Sequence, residues 1–292
     1  MRRLGLVAGL VVAGLSCPAH AKKPQTGRAE ALIFATGFGF YEGIATTMLL
    51  HEHDIIDSGE GLLFGGSLIT LLTTGGSYFG AAAVTNAYGV NEAQASMFNS
   101  SLFWAVLNGT GGSVALEADT SDFLLTTVTT GWAGQAIGVL TAANADRTAG
   151  QVGLMNTVAT WTGAEALLIM GAANAGEGYS LIGTVAADAG LGLGLVLSSK
   201  GMFGRGISQE RTRLLDLGAL AGGLAGPAAL FMVYGPEDNI RAWYLSAVAI
   251  GIPIGIGTAW YLTRNYDRAA PAEDAAAENA MPLMIPLASG RF

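Results

Sequence analysis

The chain has 292 residues, 51% of them hydrophobic and 12% charged, with a formal net charge of −8 at pH 7. Soluble domains carry about 25% charged residues, so a water-dissolved monomer of this composition would leave large apolar areas uncovered. The acidic balance argues against a nucleic-acid partner, which needs basic patches. The 43 glycines lie inside apolar runs without a three-residue period, which excludes collagen.

Residues 1–21 read as a secretory signal peptide. Arg2 and Arg3 form its positive end, Leu4 to Leu15 its apolar run, and Ala19-His20-Ala21 a small-x-small cleavage site before Lys22. A retained anchor is the alternative, but the run falls short of the roughly 20 residues a spanning helix needs. Cys17 is the single cysteine, so the processed chain has neither disulfide nor thiol chemistry.

Eight apolar stretches follow, near 29–50, 61–86, 95–116, 122–142, 150–173, 178–198, 212–234 and 241–263. Each is about 20 to 26 residues, long enough to cross a hydrocarbon core as a helix. The expected fold is all-α: about eight glycine-rich, transmembrane-type helices packed as hairpins, with residues 22–266 forming one membrane-embedded array. Residues 267–292 read as a flexible tail whose end, from Met281 to Phe292, has a strand-like pattern.

The stretches echo one another. Thr126-Thr127-Val128-Thr129 is matched by Asn156-Thr157-Val158-Ala159 and Gly183-Thr184-Val185-Ala186, with the valines 30 and 27 residues apart, as in a repeat array. Small residues recur every three or four positions. Gly218, Gly222 and Gly226 form one ridge, Gly251, Gly255 and Ala259 a second, and Gly131, Gly134 and Gly138 a third. On a helix such a ridge occupies one face and lets two backbones approach closely in lipid.

An outer-membrane β-barrel is the rival fold. Val248, Ile250, Ile252, Ile254 and Ile256 alternate with small residues, as strands do, and the chain ends in Phe292. The low aromatic content (8%) and the mid-segment Pro227 and Pro253 favour helices.

Loop charge follows the alternation of eight crossings. One side holds eleven Lys and Arg residues, between Lys22 and Arg291, whereas the other holds Arg241 alone with ten acids. The positive-inside rule would put the basic side in the cytoplasm. A cleaved signal delivers Lys22 to the opposite side, so the reading places the protein in the cell envelope, the outer membrane ahead of the inner.

Few residues suggest chemistry. His51, His53 and Asp54 share an acidic loop and have the side-chain types of a divalent-metal site; a solvated interfacial loop is the plainer reading. Glu42, Glu165, Asp188 and Asp216 lie within or at the ends of apolar stretches. A mid-bilayer carboxylate costs about 2.5–3.5 kcal/mol, so such acids face a bundle interior or water and are candidates for a polar or transport path. Glu165 and Asp188 are the most central. Trp104, Trp132 and Trp161 read as packing residues or interface anchors. Gly109-Thr110-Gly111-Gly112 lacks the Gly-Lys-Ser/Thr ending of a phosphate loop.

Gln151-Val152-Gly153 leading to Trp161, Asp216-Leu217-Gly218, Thr263-Arg264-Asn265 and the terminal Gly290-Arg291-Phe292 give the chain a resemblance to a family. It is similar to a group of uncharacterised, glycine-rich, repeat-containing exported membrane proteins of myxobacteria and relatives. The resemblance spans most of the processed chain and implies no activity and no functional residue.

The expected function is therefore that of a non-enzymatic envelope membrane protein with a structural or scaffold role and no cofactor. Its partners would be the lipid bilayer, further copies of itself or other envelope proteins. A channel or transporter using the intramembrane acids is the first alternative, and a metal-binding protein using the His-Glu-His-Asp loop the second.

Overall fold

A computed structural model describes residues 25–56, 59–143, 147–174, 179–198, 207–235 and 241–269. They form eight long helices: α1 (Arg28–Glu52), α2 (Glu60–Tyr88), α3 (Glu92–Ala115), α4 (Thr120–Ala143), α5 (Ala149–Ala172), α6 (Tyr179–Leu197), α7 (Gln209–Tyr234) and α8 (Arg241–Leu262). A single turn, α9 (Tyr266–Ala269), follows. The described residues contain no strand, so the alternation in the eighth stretch belongs to a helix and the barrel reading is corrected. Pro227 and Pro253 sit inside α7 and α8, where neighbouring helices can re-satisfy the backbone groups they free. The signal peptide and the strand-like end lie outside the described residues.

Local chemistry sets the helix ends. At the start of α3, Asn91 Oδ1 accepts from the Gln94 amide at 2.8 Å and Gln94 Oε1 accepts from the Asn91 amide at 3.1 Å. Thr148 and Gln151 form the same reciprocal box before α5, and Ser208 Oγ accepts from the Arg211 amide before α7. Gly89 and Gly235 end α2 and α7 at φ 70° and 68°, a conformation that disfavours other residues.

The chain divides into two compact units. Unit 1 holds α1, α2, α4 and α3 as far as Val106. Unit 2 holds the remainder of α3 from Leu107 and the chain from α5 to α9.

In unit 1, α1 and α2 pack as a hairpin. A Cβ on Gly39 would fall against Ser77, and one on Gly66 against the Thr47 methyl. Gly134 and Gly138 of α4 meet Ala105 and Phe98 of α3. In unit 2, Gly190 and Gly194 of α6 lie on the backbone of α5 at Ala159 and Met155. The α7–α8 hairpin is closer still. A Cβ on Gly222 would land on the Gly251 carbonyl oxygen, and one on Gly255 on the Gly218 carbonyl oxygen. Two of the three small-residue ridges therefore face each other.

Helices alternate in direction within each unit. Gln151, at the start of α5, donates to the Ser198 carbonyl after α6 at 2.8 Å. Arg211, at the start of α7, pairs with Asp267 after α8. Arg147, Arg211, Arg213 and Arg264 thus share one end of unit 2. In unit 1, His53 after α1 meets Ser121 at the start of α4, an end that carries Glu52, Asp54, Asp119 and Asp122.

Six helices, α1, α2, α4, α6, α7 and α8, are long and apolar enough to cross a membrane. Helices α3 and α5 are long but less apolar, because they bury Ser96, Asn99 and Ser100, and Gln151 and Thr157, respectively. Large apolar side chains point outward along the apolar helices: Leu71 is 71% exposed, Leu224 68% and Ile250 62%. Such surfaces are compatible with association with a lipid bilayer.

Candidate functional site

The residues expected to carry chemistry lie in four separate settings. His51 Nδ1 lies 3.0 Å from the Ile56 carbonyl in its own turn. His53 Nε2 lies 2.9 Å from Ser121 Oγ on α4. Asp54 is exposed with φ 54°. The two imidazoles serve different partners. Among the described residues, no group of three or more His, Cys, Asp or Glu side chains is placed to hold a metal ion.

Glu42 is 0% exposed, in the middle of α1. Both of its carboxylate oxygens lack a hydrogen-bond partner. One oxygen packs where a Gly131 side chain would stand, with the Phe38 ring beside the same point. The absent side chain at Gly131 is what gives the carboxyl its room.

Asp188, expected to be among the most central acids, is on an exposed face of α6. Its Oδ1 accepts from Asn108 Nδ2 of α3 at 3.0 Å. Asp216 is half-buried on α7, and its Oδ1 accepts from the Trp161 indole N–H at 2.9 Å. Trp161 is thus a fixed polar partner as well as a packing residue.

Glu165 is the acid that opens onto space. It lines a cavity of about 340 Å³ together with Leu154, Thr157, Val158, Trp161 and Thr162, all from one face of α5. These positions recur at intervals of three and four, the spacing that aligns side chains on a helix. Leu197 of α6, Leu215 of α7, and Ile256 and Trp260 of α8 complete the wall. All ten lining residues are buried or half-buried. A second space, about 520 Å³, is a groove along α1 and α2 lined by side chains such as Phe40, Met48, Leu63 and Leu71, without an ionisable group.

Glu165 and Asp216 are related through Trp161, which lines the cavity and binds Asp216. Asp188 is tied separately to α3, and Glu42 belongs to unit 1.

The sequence reading passed over a second cluster. Arg211 is buried at the start of α7, and its Nη1 donates to Asp267 Oδ2 at 2.7 Å. Its Nε donates to Thr263 Oγ1 at 3.3 Å, and its guanidinium lies 4.2 Å from the Trp260 ring centroid. Asp267 Oδ1 also accepts from the Ser208 amide at 3.1 Å. The local signal was Ser208 three residues before Arg211, a cap spacing. The link to Asp267, 56 residues on, has no local signal.

Comparison of the chain with protein-family models, with curated proteins and with solved structures finds no match.

Proposed function

We propose that the protein is a non-enzymatic, membrane-embedded module of the cell envelope, with a structural or scaffold role. The observation that carries this reading is the inversion of side-chain size across α7 and α8. Gly222, Gly251 and Gly255 are packed inside, whereas Leu224, Ile250 and Ile254 face outward. Water would drive the large apolar groups inward. Lipid tails are indifferent to them and reward close backbone contact, which only small residues permit.

The finer parts of the proposal are the cleaved signal, the glycine ridges as a zipper, the repeats and the outer membrane. The ridges are supported by the α7–α8 contact. The repeat is supported by a second correspondence: Gln94, Asn99 and Trp104 of α3 recur as Gln151, Asn156 and Trp161 of α5, at a constant offset of 57 residues. Export is supported by the pattern of residues 1–21, and the outer membrane by the conflict between that signal and the basic side of the bundle. Further copies of the chain or other envelope proteins are the proposed partners, besides lipid.

Membrane fractionation and detergent extraction test the reading. Recovery of the full-length protein in one membrane fraction, released by detergent and helical by circular dichroism, is expected. A processed chain that is folded and monodisperse in detergent-free buffer would overturn it.

A transport role is the second reading, favoured by Glu42. A buried carboxyl without a partner requires a proton or a cation to balance it. Flux across liposomes that disappears in Glu42→Gln supports transport, and unchanged flux removes it.

A further inference from the structure

We propose that the cavity lined by Glu165 and Trp161 in unit 2 binds a compact organic cation, an alkylammonium group carrying an apolar body. Its volume, about 340 Å³, falls within the range of small-molecule sites, about 300–1,000 Å³. The space is a partly open recess bordered by α5, α6, α7 and α8.

The lining selects the ligand class. Glu165 is the one ionisable side chain among the lining residues, accompanied by the hydroxyls of Thr157 and Thr162. An anion would meet a like charge. A bare metal ion needs four or more oxygen, nitrogen or sulfur ligands, and these three residues cannot supply a full shell. A neutral apolar molecule would leave the carboxylate without a counter-charge in a site it had just dried. An organic cation answers both demands. Its charge meets Glu165, and its apolar body meets Leu154, Val158, Leu215 and the Trp161 ring, whose face attracts cations.

The surroundings act in the same direction. Trp161 is held by the bond from its indole N–H to Asp216, so the ring keeps its place in the wall. Trp260 is already covered by Arg211, and that guanidinium is paired with Asp267. Through Trp161 and Trp260 the cavity adjoins Asp216 and the Arg211–Asp267 pair, Arg147 bonds Ser198 beside the lining Leu197, and among the lining residues themselves Glu165 alone carries a charge.

Isothermal titration of the full-length protein in detergent tests the proposal with two probes. Benzyltrimethylammonium carries the charge, and 2,2-dimethylpropylbenzene has the same shape without it. The expected result is saturable binding of the cation, at least tenfold tighter than its neutral isostere, with quenching of tryptophan fluorescence. Glu165→Gln should weaken cation binding at least tenfold, whereas Asp122→Asn, in unit 1, should leave it unchanged. Equal binding of the two probes, no saturable binding, or full binding to Glu165→Gln would each overturn the proposal. The probe comparison uses the unaltered protein, so it decides the question even if the Glu165 variant fails to fold.

Discussion

The indole N–H of Trp161 on α5 donates to Asp216 Oδ1 on α7 at 2.9 Å, joining two helices that belong to different hairpins. An indole N–H and a carboxylate that meet inside an apolar bundle satisfy each other where lipid could satisfy neither. The same bond fixes one wall of the cavity beside Glu165.

Removing the donor should therefore loosen unit 2. Trp161→Phe is expected to lower stability by about 1 kcal/mol, the scale of interhelical hydrogen bonds in membranes. Asp216→Asn keeps an acceptor oxygen and should cost about half as much or less. Denaturation from mixed micelles, followed by circular dichroism, measures both. Equal losses for the two variants would show that the bond is not what matters.

Glycines in these helices should divide sharply by position. Gly222→Ala puts a Cβ on the Gly251 carbonyl oxygen, so α7 and α8 must separate, at a cost of about 2 kcal/mol or more. Gly192 in α6 and Gly257 in α8 have open space where a Cβ would go. Gly192→Ala and Gly257→Ala should each stabilise by about 0.5–1 kcal/mol, through helix propensity alone. The same denaturation series reads all three, and a uniform response would refute the close approach of α7 and α8.

The Arg211–Asp267 pair should behave as a buried clasp. The two side chains are 10% and 16% exposed, so removing one strands the other away from water. Asp267→Ala is expected to cost about 3 kcal/mol. Arg211→Lys keeps the charge but loses the planar group that stacks on Trp260 and reaches Thr263, and should not restore full stability. High salt should change the wild-type value little, because a pair held this far from solvent is weakly screened. A strong salt dependence would place the pair at the surface.

Glu42 and Gly131 should be coupled. Gly131→Ala drives a methyl into the Glu42 carboxyl and is expected to destabilise by about 1–3 kcal/mol. Glu42→Ala removes the obstructing group, together with two unpartnered oxygens. In the Glu42→Ala background, Gly131→Ala should cost much less. A double-mutant cycle gives the interaction energy, and additive losses would contradict the packing.

Much of this architecture was legible along the chain. The eight stretches appear as eight helices in the expected places. The alternation of basic and acidic loops agrees with the antiparallel order found within each unit. Boundaries are less legible: α3 begins at Glu92 rather than near 95, because the side chains of Asn91 and Gln94 cap a polar first turn that lies outside the apolar stretch. The site was legible only as a set of candidates. Four acids could be named, but nothing local distinguished Glu42, sealed against Gly131, from Asp188 on an open face.

Length and apolarity over a window determine that a segment is a helix suited to lipid, and small residues three or four apart determine that one face can accept a close neighbour. Both are short-range properties of the chain, so the sequence by itself was enough for them. Which face of α5 surrounds a cavity, which acid is enclosed, and that Arg211 reaches Asp267 were decided only in three dimensions. The physical reason is that helices meant for lipid are apolar on every side. Hydrophobicity then carries little record of which side is inside, and the rotation of each helix is settled by how its small residues fit against the next.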